Sequence, residues 1–312
     1  MNTLHLVDPA VRDFVASAGL FDPERDPLEL FRKQLLASYA QMAPAMPDAR
    51  EERWVPGLRE VRVLMYRPNA GPPPSRAIVY VHGGGFIAGA AEMTDAMCVQ
   101  LANEHRALIV SVDYRLAPES PFPGPVEECY AALSWVLKES PSLGINPARV
   151  ILLGHSAGGG LAAATALLHR DRGGALLAGQ VLVYPMLDAR TGTPEAPVDN
   201  PTTGEFGWTR AINRFAWQAM RGGASIPSER QGHYSPSLAS DLTHLPPTFL
   251  AVGSVDLFFE EDIAYGMRLS RAGVPVELHV YQGGIHGFDF FPGSTTDRFS
   301  AELRAAIARL LG

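Results

Sequence analysis

The sequence is short of cysteine, of long apolar runs and of positive charge, and each shortage narrows what the chain can be. Its 312 residues include two cysteines, Cys98 and Cys129, too few for a disulfide scaffold or a cysteine metal cage, so both are expected as packed thiols. No segment reaches the about eighteen uncharged apolar residues of a membrane span, and the opening Met1-Asn-Thr-Leu-His-Leu-Val-Asp-Pro lacks a basic stretch followed by an apolar core. A cytoplasmic chain without membrane contact is the expectation. With 26 basic against 33 acidic residues the net charge is −7, which argues against nucleic acid as a partner and leaves small, largely uncharged molecules. Internal repeats and low-complexity tracts are missing too.

What is present is a 46% hydrophobic composition, enough for one large α/β domain or two small ones. Near-continuous apolar runs at Ala77–His82, Ala107–Asp113 and Val150–Leu153 read as strands covered on both faces, and Gln180–Tyr184, Thr248–Gly253 and Pro275–Tyr281 read as further strands. Val61-x-Val63-x-Met65-x-Arg67 alternates, as a half-buried antiparallel strand does. Helical patterns lie between them at Asp95–Glu104, Val126–Lys138, Leu161–Leu168, Glu260–Gly273 and Thr296–Leu311. Strands alternating with helices predict a mostly parallel sheet flanked by helices. Two amphipathic patterns, near Pro9–Ala18 and Pro27–Met42, precede it. The stretch Asp188–Leu245, with a helical patch at Trp208–Met220, is too long for a plain connection. The division expected is N-terminal cap helices over 1–50, a core over 51–187 and 246–312, and a cap insertion over 188–245.

The chemistry centres on Gly154-His155-Ser156-Ala157-Gly158, between an apolar strand and a helix-forming run. Gly-x-Ser-x-Gly in that setting is the pattern of a nucleophile elbow, in which flanking glycines let backbones pass closely while the serine sits on a strained turn. His82-Gly83-Gly84-Gly85-Phe86 follows another buried strand, and its unobstructed N–H groups, with that of Ala157, suit an oxyanion hole. His286, in Gly283-Gly284-Ile285-His286-Gly287-Phe288, and Asp256, in Ser254-Val255-Asp256-Leu257, also follow strands and come in the chain order serine, acid, histidine. Glu260, Glu261 and Asp262 compete with Asp256 for the acid, but first-turn carboxylates are explained by the helix dipole. The candidate set is therefore Ser156, Asp256 and His286, with Gly83, Gly84, Gly85 and Ala157 as N–H donors. Phe14, Phe21, Phe86, Trp208, Phe215, Trp217 and Phe288 are candidates for an apolar substrate pocket.

His82–Gly85, Gly154–Gly159 and Asp113-Tyr114-Arg115-Leu116-Ala117-Pro118-Glu119 together resemble the hormone-sensitive-lipase-like esterases of the α/β-hydrolase superfamily. The resemblance runs from about Val61 to the C-terminus and takes in Tyr234-Ser235-Pro236 and Leu245-Pro246-Pro247. It implies Ser156 as nucleophile, Asp256 as acid, His286 as base, two of Gly83, Gly84 and Gly85 plus Ala157 as the oxyanion hole, and His82 as a brace for its loop. Two departures stand out: Asp256-Leu257-Phe258 where the family often has Asp-Pro-Leu, and His155 where many members have Asp or Thr. The function implied is hydrolysis of short-to-medium acyl carboxylic esters through an acyl-enzyme, without metal or organic cofactor. Amide, lactone or carbamate cleavage by the same residues is the alternative, followed by a non-catalytic receptor for a small molecule. The resemblance also suggests a homodimer through the sheet edge or last helices.

Overall fold

The computed structural model describes residues 2–312 apart from Ala18 and Ala224. Eight strands form one sheet: β1 (Glu51–Val55), β2 (Val61–Tyr66), β3 (Ala77–Val81), β4 (Leu108–Asp113), β5 (Val150–His155), β6 (Gly179–Val183), β7 (Thr248–Gly253) and β8 (Val276–Tyr281). Among the described residues the α-helices are α1 (Arg12–Ser17), α2 (Leu28–Met42), α3 (Asp95–His105), α4 (Gly124–Lys138), α5 (Ser140–Leu143), α6 (Ala157–Asp171), α7 (Arg210–Arg221), α8 (Gln231–Tyr234), α9 (Phe259–Arg271) and α10 (Ser294–Leu311). Ala18, which ends the first amphipathic stretch, lies outside the described residues.

Strand order is β1-β2-β4-β3-β5-β6-β7-β8. β2 pairs antiparallel with β1 and β4, and every later pairing is parallel. A parallel sheet needs crossovers that place helices on its faces, so its central strands are apolar throughout. Every residue of β3, β5, β6 and β7 is buried. One face packs Val79, Val81 and Leu152 with the apolar sides of α4 and α6; the other packs Ile78, Tyr80 and Ile151 with α3 and α10. The sheet is thus a rigid floor whose parallel strands all end on one edge.

Two strands differ from expectation. β2 is buried on both faces, because Leu64 and Tyr66 pack on the α3 side while Val61, Val63 and Met65 pack on the α4 side. Its one polar member, Arg62, is held by Glu52, Glu92 and Asp113. β1 was not legible at all: Glu51-Glu52-Arg53-Trp54 is charged and exposed, as suits an edge strand whose outer backbone faces water. Cys98 and Cys129 are free and buried, and burial pushes the Cys98 thiol up to about 12. Among the described residues, no helix is long and apolar enough to cross a membrane.

The N-terminal segment is joined to both the sheet and the 188–245 stretch. Thr3 donates through its backbone N–H to Glu205 at 2.7 Å, and Phe21 packs on Phe31 and Phe215 at centroid distances of 4.8 and 6.2 Å. Arg32 of α2 makes the strongest connection. Its guanidinium donates to the carbonyls of Ile87 (2.8 Å) and Ala117 (3.1 Å) and grips both carboxylate oxygens of Glu119 (2.8 and 2.7 Å). A planar fork meeting a carboxylate in this way is specific to arginine.

That clamp holds the Glu119 carboxyl down to about 2, chiefly through the hydrogen bond from Arg32, against an ordinary 4.5. A lowered pKa contributes stability above the ordinary value, and the contribution is lost as pH falls from about 4.5 towards about 2. Arg32→Ala is expected to lower stability by about 1–3 kcal/mol at neutral pH, mostly through the two orphaned carbonyls, since the exposed ion pair itself adds at most about 1 kcal/mol. Urea unfolding at a series of pH values checks this. The gap between the two proteins should narrow below pH 4.5, and Arg32→Lys should restore only part of it.

Candidate active site

Ser156 sits at the end of β5, where the chain reverses into α6. Its backbone is at φ 56° and ψ −122°, a strained conformation for a residue with a Cβ. The turn is tight enough to demand glycine on both sides. A Cβ on Gly154 would lie 2.2 Å from the Gly158 carbonyl oxygen, and one on Gly158 would lie 2.1 Å from that of Val81. The strained residue is fixed in turn: its N–H donates to Val183 at 2.9 Å, and its carbonyl accepts from Met186 and Gly160 at 3.0 Å each.

The loops after β7 and β8 bring the other two residues to this point. His286 Nδ1 donates to Asp256 Oδ2 at 2.8 Å, which fixes the tautomer so that Nε2 accepts from Ser156 Oγ, also at 2.8 Å. Asp256 is fully buried, and its other oxygen accepts the Phe258 N–H at 3.0 Å. Phe258, where the resembling family often has leucine, stands edge-on to the His286 ring at 5.1 Å, and Tyr184 packs on the ring at 4.8 Å. The competing carboxylates serve elsewhere. Glu260 accepts from Asn200 at 2.8 Å, Glu261 accepts the N–H groups of Leu187 and Asp188 at 2.6 and 3.0 Å, and Asp262 is buried without a partner among the described residues.

The glycine loop runs over Ser156. A Cβ on Gly83 would be 3.4 Å from that of Ser156. Among the described residues the N–H groups of Gly83, Gly84, Gly85 and Ala157 donate to no acceptor. His82 braces the loop from below: Nδ1 donates to the Gly83 carbonyl at 2.8 Å, the ring stacks on Tyr114 at 4.3 Å, and Tyr114 donates to the His82 carbonyl at 2.9 Å. Burial pushes the His82 pKa down, which suits a brace. Arg115, next in the chain, ties this region to α4 by donating its backbone N–H to Glu128 at 2.7 Å.

His155 turns to the opposite side of the sheet, beside Tyr80 (3.4 Å) and Asp289 (3.8 Å), and burial lowers its pKa. It therefore brings no positive charge to Ser156. The pocket candidates divide. Trp208 stands at the site, 6.0 Å from the His286 ring, with Phe21 and Phe215 behind it around Phe31. Phe86 is buried against Trp217 at 5.0 Å. Two expectations are corrected. Phe288 belongs to the α10-side core with Tyr281 and Phe299, because the chain has already turned below the sheet edge. Phe14 is 59% exposed and packs on Phe291, outside the aromatic row that joins Trp208, Phe31 and Phe21. Arg32 and Asn213, both of which shape the site, were missed: an arginine on an amphipathic helix and an asparagine within another look like surface residues.

A proton can pass from Ser156 to His286 in this geometry without rearrangement, and the glycine loop lies against Ser156. On a parallel sheet, this defines the serine hydrolases of the α/β-hydrolase class. Residues 78–290 match the alpha/beta hydrolase fold family. The chain is 35% identical to Esterase LipI of Mycobacterium tuberculosis over 253 residues, covering 78% of this chain and 76% of that one. It is 32% identical to Carboxylesterase NlhH of the same organism over 292 residues, covering 90% and 88%. Among solved structures, a bacterial heroin esterase superposes over 100% of both chains with TM-score 0.89 at 36% identity. The esterase of Pyrobaculum calidifontis gives 0.86 at 32% identity, over 98% and 99%. The chain belongs to the hormone-sensitive-lipase-like carboxylesterases of the α/β-hydrolase superfamily.

Proposed function

We propose that this chain hydrolyses carboxylic esters of short-to-medium acyl length, with Ser156 as nucleophile, His286 as general base and then acid, and Asp256 as the group that orients His286. The observation that carries this reading is the pair of 2.8 Å contacts linking Ser156, His286 and Asp256. Ser156 Oγ attacks the ester carbonyl as its proton moves to His286 Nε2. The negative oxygen is met by Ala157 N–H and two of the Gly83, Gly84 and Gly85 N–H groups, each such donor being worth about 10²–10³ in kcat. His286 then gives the proton to the departing alkoxide and leaves an acyl group on Ser156. Water, deprotonated by the same nitrogen, attacks that acyl group, releases the acid and returns the proton to Ser156.

The names of the relatives, esterase, carboxylesterase and, in Pseudomonas putida, ethyl acetate hydrolase, support an ester as the bond broken. Trp208 stands 6.0 Å from the His286 ring and packs through Phe31 and Phe21 onto the N-terminal segment, which supports a covered site of limited depth. We take residues 1–50 and 188–245 as the cap on this basis. Free buried cysteines suit a reducing compartment and support a cytoplasmic location. Turnover of p-nitrophenyl acetate, butyrate, octanoate and palmitate tests the length limit: acetate to octanoate should be cleaved, and faster cleavage of palmitate would overturn it.

A further inference from the structure

Trp208 is held with more care than packing requires. The indole is 5% exposed, and its Nε1 donates to Asn213 Oδ1 at 3.0 Å. Asn213 is fully buried and donates its amide to the Thr191 carbonyl at 2.8 Å. Thr191 in turn donates its hydroxyl to Glu261, the residue that also accepts the N–H groups of Leu187 and Asp188. A chain of buried and partly buried hydrogen bonds therefore runs from α9 through the 187–191 loop and α7 to one side chain. Buried polar groups must be satisfied, and a satisfied network fixes its members in one arrangement.

The place where the indole is fixed has a chemical meaning. The benzene edge of Trp208 lies on Gly85, where a Cβ would come within 2.2 Å of it. The ring centroid is 6.0 Å from that of His286 at a 43° tilt. Trp208 thus borders both the glycine loop and the base. On the reading of Ser156 as an esterase nucleophile, the carbonyl oxygen sits among the loop N–H groups and the departing oxygen sits within hydrogen-bond reach of His286 Nε2. The first carbons of the alcohol half then lie beside His286, against the indole. Phe31 continues the aromatic surface at 6.4 Å from Trp208, and Phe21 stacks on Phe31 at 4.8 Å. Phe31 and Phe215 are half-buried, so the row leads outward along the seam between the N-terminal segment and the 188–245 stretch.

We propose that Trp208 is the specificity-determining wall for the alcohol half of the ester, and that it selects esters of planar aromatic alcohols. A rigid aromatic face held in advance gains from an offset or edge contact with an aryl ring and loses no side-chain freedom in making it. Saturated rings of the same size bury similar area but lack the ring quadrupole. An aromatic pair of this kind corresponds to about a three- to tenfold preference.

The test uses two matched pairs of esters. Benzyl acetate and cyclohexylmethyl acetate differ only in the alcohol ring, and their alcohols are similar leaving groups. Ethyl phenylacetate and ethyl cyclohexylacetate place the same difference on the acyl half. With the wild-type protein, kcat/KM is expected to favour benzyl acetate over its saturated partner by about three- to tenfold. Trp208→Leu should bring that ratio close to one and leave the phenylacetate ratio unchanged, whereas Trp208→Phe, which keeps an aromatic face, should retain part of the preference. A wild-type ratio of one for the acetates would overturn the proposal without any variant. So would a ratio that survives Trp208→Leu, or a loss that falls on the acyl pair instead. Failure of the esterase reading looks different, because none of the four esters would then be cleaved.

Discussion

Ser156→Ala is expected to lower kcat on p-nitrophenyl butyrate by about 10⁴-fold or more, with KM changed little and the fold intact. The magnitude follows from what the side chain does. Removing the nucleophile forces water to attack the ester directly, and in a serine triad the loss of the serine alone costs about as much as the loss of all three members. The residue is small and its backbone is held independently of its hydroxyl, by Val183 at 2.9 Å and by Met186 and Gly160 at 3.0 Å. Alanine therefore keeps the elbow and loses only Oγ. Steady-state kinetics with a matching thermal unfolding curve separates this from misfolding. A variant that keeps a tenth of wild-type kcat would remove Ser156 from the reaction.

Gly158→Ala should fail in a different way. A Cβ there would lie 2.1 Å from the Val81 oxygen and 2.5 Å from that of His82, and both contacts are backbone atoms that no side-chain rotation can relieve. Either β3 or the start of α6 must move. β3 lies at the centre of the sheet, between β4 and β5, and the elbow cannot open without tilting Ser156 away from His286. Overpacking of this severity costs about 3 kcal/mol or more. The expected result is a clear loss of thermal stability, together with a fall in kcat/KM of at least about 10²-fold, as expected when reacting groups shift by about an ångström. Wild-type stability and activity in Gly158→Ala would mean that the tight packing of the elbow is not required.

Much of this architecture could be read directly from residue pattern, for physical reasons. β3, β5 and β7 are covered by helices on both faces, so they had to be unbroken apolar runs. Ser156 and Asp256 follow such runs and His286 follows the mixed edge strand β8; parallel strands end on the same edge, so adjacency in space followed from topology. What escaped notice lacked such a signature. β1 is an edge strand, and its charges look like a loop. Arg32 earns its place only when Ile87, Ala117 and Glu119, distant in sequence, converge on it. Asn213 occupies the inner face of α7, where a polar residue gives no sign of whether it finds a partner. Phe288 misled because two residues after His286 is close in sequence, yet the chain has already turned into the α10-side core.

The central claim, covalent catalysis on Ser156, is tested most directly by acid-quenching the wild-type protein during turnover of p-nitrophenyl butyrate and mapping the adduct by peptide mass spectrometry. A butyryl group on the peptide containing Ser156, absent from Ser156→Ala and released on further incubation before quenching, is the result expected. Steady ester cleavage with the acyl group on another residue would contradict it.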